Sequence, residues 1–187
     1  EAELHATAPL DAAERLKNRT RVAFALHANE SINSFRGNWD SARSYSDRGL
    51  ISGSFTPVFL GMRAHLEYEI GGSAQGDINF QSFLEIIRGI PLIPGLLHPH
   101  AALAIPLIGR LTGRLDDADL ARQVAEVVVS SPHASSELAG IARAGLAFLE
   151  TLEGHISEVR KHYEELKIWQ GATVHFVALS GGRLLGI

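Results

Sequence analysis

Two histidines one residue apart, His98 and His100, form the most metal-like pair in the chain. Two imidazoles do not complete a zinc site, and no nearby Asp or Glu offers a third ligand. The pair therefore reads as structural, and a small metal- or ligand-binding helical enzyme module around it is the rival reading. His65 and Glu69 fall one helical turn apart and share a face, as a surface pair does. His155 and His162, with Glu158 between them, read as one solvated helix face. The run Gly71-Gly-Ser-Ala-Gln-Gly76 copies the outer glycine spacing of a phosphate loop. Asp77 stands where lysine is required, so the run would repel phosphate. Gln75 likewise fills the second glycine place of a nucleophile elbow. A helix-to-helix turn explains the run better. No catalytic set, metal or cofactor is expected from these residues.

Bulk composition narrows the field in the same direction. With 187 residues, 45% hydrophobic and 20% charged, the chain has globular composition rather than that of a disordered or collagen-like one. It has no cysteine, which excludes a disulfide framework, a thiolate zinc site and a cysteine nucleophile. The formal net charge of −4 lacks the broad positive field of a dedicated nucleic-acid binder. Arg15, Lys17, Arg19 and Arg21 cluster, but Glu14 lies beside them and no aromatics interleave, so they read as a solvated face. Direct nucleic-acid binding is not expected. The chain starts at Glu1 and holds a single methionine, Met62, so it reads as a fragment or processed piece. No basic stretch followed by an apolar run opens it, and together with the absence of cysteine this points to the cytoplasm.

The greasiest region, Ile90 to Ile108, is long enough to raise the membrane question. Pro91, Pro94, Pro99 and Pro106 each remove a backbone donor, and two imidazoles lie among them. We expect a buried, kinked helix pair there and no membrane span.

Helical periodicity dominates the rest. Asp11-Ala-Ala-Glu14 reads as a capping box opening a helix to Arg36, which Gly37-Asn38 ends. Helices are expected over Trp39–Leu50, Pro57–Ile70, Asp77–Gly89, His100–Leu111 and Asp116–Val129. Another should run from Ser131-Pro132 to Glu153, followed by Ile156–Trp169 and Val174–Leu185. No alternating strand is evident, so the expected class is all-α.

Frames beginning at Gly37, Gly71, Gly113 and Gly154 each open with a glycine turn into a helix, at spacings of 34, 42 and 41 residues. The sixth place holds Ala42, Gly76, Ala118 and Val159, small or modest enough for helices to cross closely. The third place holds Trp39, Leu115 and Ile156, with Ala74 filling it in the second frame after a one-residue slip. Trp39 is accordingly expected in the repeat core.

The frame at Gly37, with Trp39, Asp40, Ala42, Tyr45 and Leu50 in register, resembles the second half of a tetratricopeptide repeat. The first spacing matches that family's period of about 34 residues, and the later ones lean toward the ~40 of other helical repeats. Of the small positions before the turns, Ala64 and Ala147 fit, and most others depart from the pattern. More loosely, the stretch from Phe35 to Leu50, His65-Leu-Glu-Tyr-Glu69 and Ser130-Ser-Pro132 resembles the helical-repeat portion of large bacterial signalling proteins. There, repeats follow a nucleotide-binding ATPase module and accompany a cyclase or DNA-binding output domain, chemistry that would lie outside these residues.

The resemblance implies a right-handed, tetratricopeptide-like α-solenoid of about four helix-turn-helix pairs, with a compact helical bundle as the alternative. The whole of 1–187 would be one helical-repeat domain, paired over about 11–50, 56–89, 98–130 and 132–170, with a partial pair at 172–187. The apolar ending Leu184-Leu185-Gly186-Ile187 lacks the polar cap of a terminal repeat, so an open end and a homodimer through it are expected. The implied function is a non-catalytic scaffold or sensor domain that binds a protein, a peptide or a small effector on its concave side. First helices line that side, which makes Asn29, Asn33, Arg63, Glu67, Arg110 and Arg143 the candidate contacts. Alanine at Arg63 or Arg143 should then weaken partner capture and leave the melting temperature unchanged.

Overall fold

The computed structural model describes residues 2–93 and 95–167, with 2–7 as backbone only, and the backbone of 173–174 and 179–180. The described part is all-α. Its helices are α1 (Ala2–Arg15), α2 (Arg19–Phe35), α3 (Trp39–Ser52), α4 (Thr56–Glu69) and α5 (Ser73–Gly89). They continue as α6 (Leu97–Thr112), α7 (Ala118–Val129), α8 (Ser136–Glu153) and α9 (Ile156–Leu166). The four frame glycines Gly37, Gly71, Gly113 and Gly154 have φ of 73°, 84°, 71° and 81°. That left-handed backbone is easy only without a Cβ, so the glycines mark the turns after α2, α4, α6 and α8.

Consecutive helices pack as pairs, α2 with α3, α4 with α5, α6 with α7 and α8 with α9. Across pairs, α4 packs on α6 and α6 on α8, whereas the backbones of α5 and α6 come close at few points. The main apolar core surrounds α6, where Ala101 to Ile108 are buried against Phe83, Leu84 and Ile87 of α5, Val124 and Val128 of α7, and Ile141 and Leu149 of α8. A smaller core joins Leu10, Ala23, Ala25 and Leu26 to Phe59 of α4. The α6–α8 crossing is close because Gly145 has no side chain; a Cβ there would collide with the Ala102 carbonyl.

Several expectations are corrected. The helix expected from Asp11 to Arg36 is two helices. Asp11 is an exposed residue inside α1, which ends where Lys17 takes a φ of 51°. Asn18 then caps α2, its side-chain oxygen accepting from the Arg21 amide at 3.0 Å. Among the described residues, the Ile90–Ile108 region holds one helix rather than a pair, with Pro106 inside it, because 90–93 and 95–96 lie outside any helix, between α5 and α6. No helix among the described residues is long and apolar enough to cross a membrane. The helix expected from Ser131 begins at Ser136: the Ser131 hydroxyl accepts the His133 amide at 3.2 Å in the turn before it, and the Ser135 hydroxyl accepts an amide of the helix itself, that of Leu138 at 3.3 Å. The expected partial pair at 172–187 lies mostly outside the described residues. Within it, Thr173–Val174 pairs antiparallel with Leu179–Ser180, so Val174, Leu179 and Ser180 are not helical as expected. Trp169, the expected end of α9, also lies outside the described residues.

Candidate functional site

The first two turns of α2 and its middle meet the start of α4 through side chains, with the rings of His27 and Phe59 6.5 Å apart and those of Phe24 and Phe55, the residue before α4, 4.9 Å apart. Between the C-terminal halves of the two helices lies a cleft of about 340 Å³. From α4, Met62, His65, Leu66 and Glu69 reach it, a spacing that puts all four on one helical face. From α2 come Glu30, Ser34 and Phe35, Arg36 follows at its C-terminal end, and the Gly37 turn brings Trp39 of α3 alongside. A Cβ on Gly37 would sit 3.6 Å from the indole, so the turn and the ring are in contact distance.

Trp39 is therefore not the core residue the frame suggested. It is 40% exposed at the cleft, and Phe35 is 45% exposed. The reason is position: Trp39 opens α3 next to the end of α2, where no third helix covers it.

Glu30 is the least expected group in the cleft. It is 1% exposed, and its Oε2 has no hydrogen-bond partner among the described residues. Burial raises its carboxyl well above the usual carboxylate range, opposed by the positive charge of Arg63. Across the cleft, His65 Nε2 lies 3.8 Å from Glu69 Oε1, so the sequence pair is real and faces the cleft. An unionised Glu30 can donate as well as accept, and an ionised one would need a cation beside it.

Behind the cleft, Glu67 ties α3 to α4. It accepts from Arg43 Nε at 2.9 Å, from Arg43 Nη2 at 2.6 Å and from Arg63 Nε at 2.7 Å. Arg63 Nη1 also donates to the Arg43 carbonyl at 3.1 Å and to Asp47 at 2.6 Å. The Arg43 hydrogen bonds, with the one from Arg63, outweigh burial and hold the Glu67 carboxyl below its usual value.

The six sequence-derived candidates divide. Asn29 and Asn33 lie on α2 and Arg63 and Glu67 on α4, none of them lining the cleft, while Arg110 lies on α6 and Arg143 on α8. Asn29 and Asn33 are buried and donate back to the carbonyls of Ala25 and Asn29, each at 2.8 Å. Arg110 is exposed and sits 5.9 Å over the Phe148 ring, and Arg143 pairs with Glu165. Sequence reasoning missed Glu30, Phe35 and Arg43. Nothing in the spacing marks Glu30, because its burial follows from how α2 packs.

His98 and His100 both sit inside α6 and are buried. His100 presents its ring edge-on to Phe83 at 5.7 Å, and a Cβ on Gly61 would come within 2.7 Å of its Nε2. Burial lowers the His98 pKa. Among the described residues, the group able to converge on a metal is Glu150, Glu153 and His155, away from both. Arg122 already occupies it, at 2.5 Å from Glu153 Oε2 and 3.5 Å from Glu150 Oε1, so a cation would have to displace a guanidinium. The Gly71–Gly76 run is a turn into α5, and its Asp77 accepts from Tyr68 and Arg114, both at 2.6 Å. Burial, then the Asp77 hydrogen bond, pushes the Tyr68 hydroxyl up to about 12. Comparison with protein-family models, with curated proteins and with solved structures finds no match.

Proposed function

We propose that this chain is a non-catalytic recognition domain of a bacterial regulatory protein that binds its ligand in the cleft between α2 and α4. The observation that carries the reading is the cleft itself, open to solvent, large enough for a small molecule or a few peptide side chains, and floored by a buried carboxyl. The tetratricopeptide-like solenoid belongs to the same proposal. Its support is the repeated left-handed glycine after each first helix and the succession of α4, α6 and α8 contacts. In such a stack α2, α4, α6 and α8 are the first helices, which line the concave side. The cleft then lies on the binding side.

A displayed random-peptide library and a library of small effectors, each selected against the full chain, test the reading. Ligands obtained should lose binding on Trp39→Ala or Glu69→Gln and keep it on Lys161→Ala, which lies on α9. Ligands indifferent to both cleft variants, or no ligand from either library, would refute it.

A further inference from the structure

We infer that the cleft takes a small organic ammonium, its charge between the carboxyl groups of Glu30 and Glu69 and its apolar body against Trp39 and Phe35. The inference rests on the proposed recognition role of the cleft and adds the chemistry of its ligand. Glu30 Oε2 is a buried acceptor with no partner among the described residues, so a donor from outside would complete it. Both α2 and α4 end beside the cleft, at Phe35 and Glu69, and helix C-termini carry the negative end of the macrodipole. Two helix ends and the Glu69 carboxyl group favour a cation, against which Arg36 is a positive charge in the lining, and Glu30 adds its charge once the ligand is in place. Exposed Trp39 and Phe35 offer ring faces, the surfaces that attract an ammonium. Anions meet the opposite field.

Occupancy would change the protonation of the floor. Around Glu30 stand Arg63, His65 and Glu69 on α4 and Arg36 at the C-terminal end of its own helix, while Arg43 and Asp47 of α3 reach it through the Arg63–Glu67 network. Burial keeps Glu30 protonated above the ordinary carboxylate range. When an ammonium settles beside it, the carboxyl loses its proton to solvent, and the resulting carboxylate pairs with the ligand.

Titration calorimetry on the full chain tests this with phenethylammonium, 2-phenylethanol, 3-phenylpropanoate and a capped phenylalanyl-lysine peptide. The ammonium should bind about tenfold or more tightly than the alcohol, as charge-assisted hydrogen bonds require, and the carboxylate should not bind. Glu69→Gln and Glu30→Gln should each weaken the ammonium by about tenfold, with Lys161→Ala unchanged. In buffers of different ionisation enthalpy, titrated at a series of pH values above 4.5, wild type should release a proton on binding over part of that range and Glu30→Gln should not. Melting curves identify folded variants, and if Glu30→Gln fails to fold, Glu69→Gln carries the comparison. Equal binding of the alcohol or the carboxylate, or ammonium binding indifferent to Glu69→Gln, overturns the inference. Binding of the peptide alone overturns the small-molecule class and leaves the recognition role standing.

Discussion

Glu67→Gln should destabilise the fold by about 3 kcal/mol, and the reason lies in three short bonds. The Glu67 side chain is 3% exposed and accepts two hydrogen bonds from Arg43 and one from Arg63. Glutamine keeps one acceptor oxygen and turns an amide NH2 toward a guanidinium. Breaking a buried ion pair from one side costs about 3–5 kcal/mol, because the other charge is left uncompensated. The low end applies here. Arg43 is 36% exposed and regains water, and Arg63 keeps Asp47 at 2.6 Å. For a chain of this size about 3 kcal/mol lowers the melting temperature by roughly 6–12 °C. Urea titration followed by far-UV circular dichroism reads the difference, with an unchanged slope showing that the same surface unfolds. The effect must also depend on pH with a definite sign. The folded-state carboxyl is held below its ordinary value of 4.5, so its stabilisation is present above that value and is lost as pH falls through the folded pKa. A loss below about 1 kcal/mol at neutral pH, or one that grows in acid, would refute the reasoning.

Glu30→Gln should act the other way. Its folded carboxyl is raised, so the native state is favoured at low pH and loses stability as pH rises from about 4.5 toward the folded pKa, by up to about 1.4 kcal/mol per pH unit. Glutamine removes that slope, and chemical denaturation across pH should show a variant more stable than wild type at neutral pH and equal to it in acid. Arg63→Ala, harmless to melting on the sequence reading, should lower the melting temperature instead, because Arg63 holds Glu67 and Asp47 at once. A variant that melts with wild type would show the network to be ornamental. Gly145→Leu should cost more than about 3 kcal/mol or abolish folding, since a side chain there runs into the Ala102 carbonyl. A wild-type melt for that variant would mean the α6–α8 crossing relaxes freely.

What could be read from the sequence is what local backbone chemistry fixes. Glycine takes a positive φ without the penalty of a Cβ, so Gly37, Gly71, Gly113 and Gly154 revealed the breaks after the first helices. The break between α1 and α2 was hidden because a lysine takes the left-handed position and Asp11-x-x-Glu14 imitates a cap inside a helix. Asn18 carried the true signal, one residue before α2. Likewise Ser135, not Ser131, caps α8. His65 and Glu69 were legible as a pair because four residues make a turn, but not as cleft residues. Their surroundings depend on Trp39 standing at the end of α2, a tertiary fact. Glu30 was illegible altogether: as a residue type glutamate belongs on the surface, and only packing decides otherwise.

Hydrogen–deuterium exchange of the full chain, with and without a saturating ligand from either library, shows where the ligand sits. Exchange should slow over residues 30–39 and 62–69, which border the cleft, and stay unchanged over 118–129 in α7. Protection confined to α7 or to the α8–α9 pair, with the cleft segments unaffected, would contradict binding in the cleft.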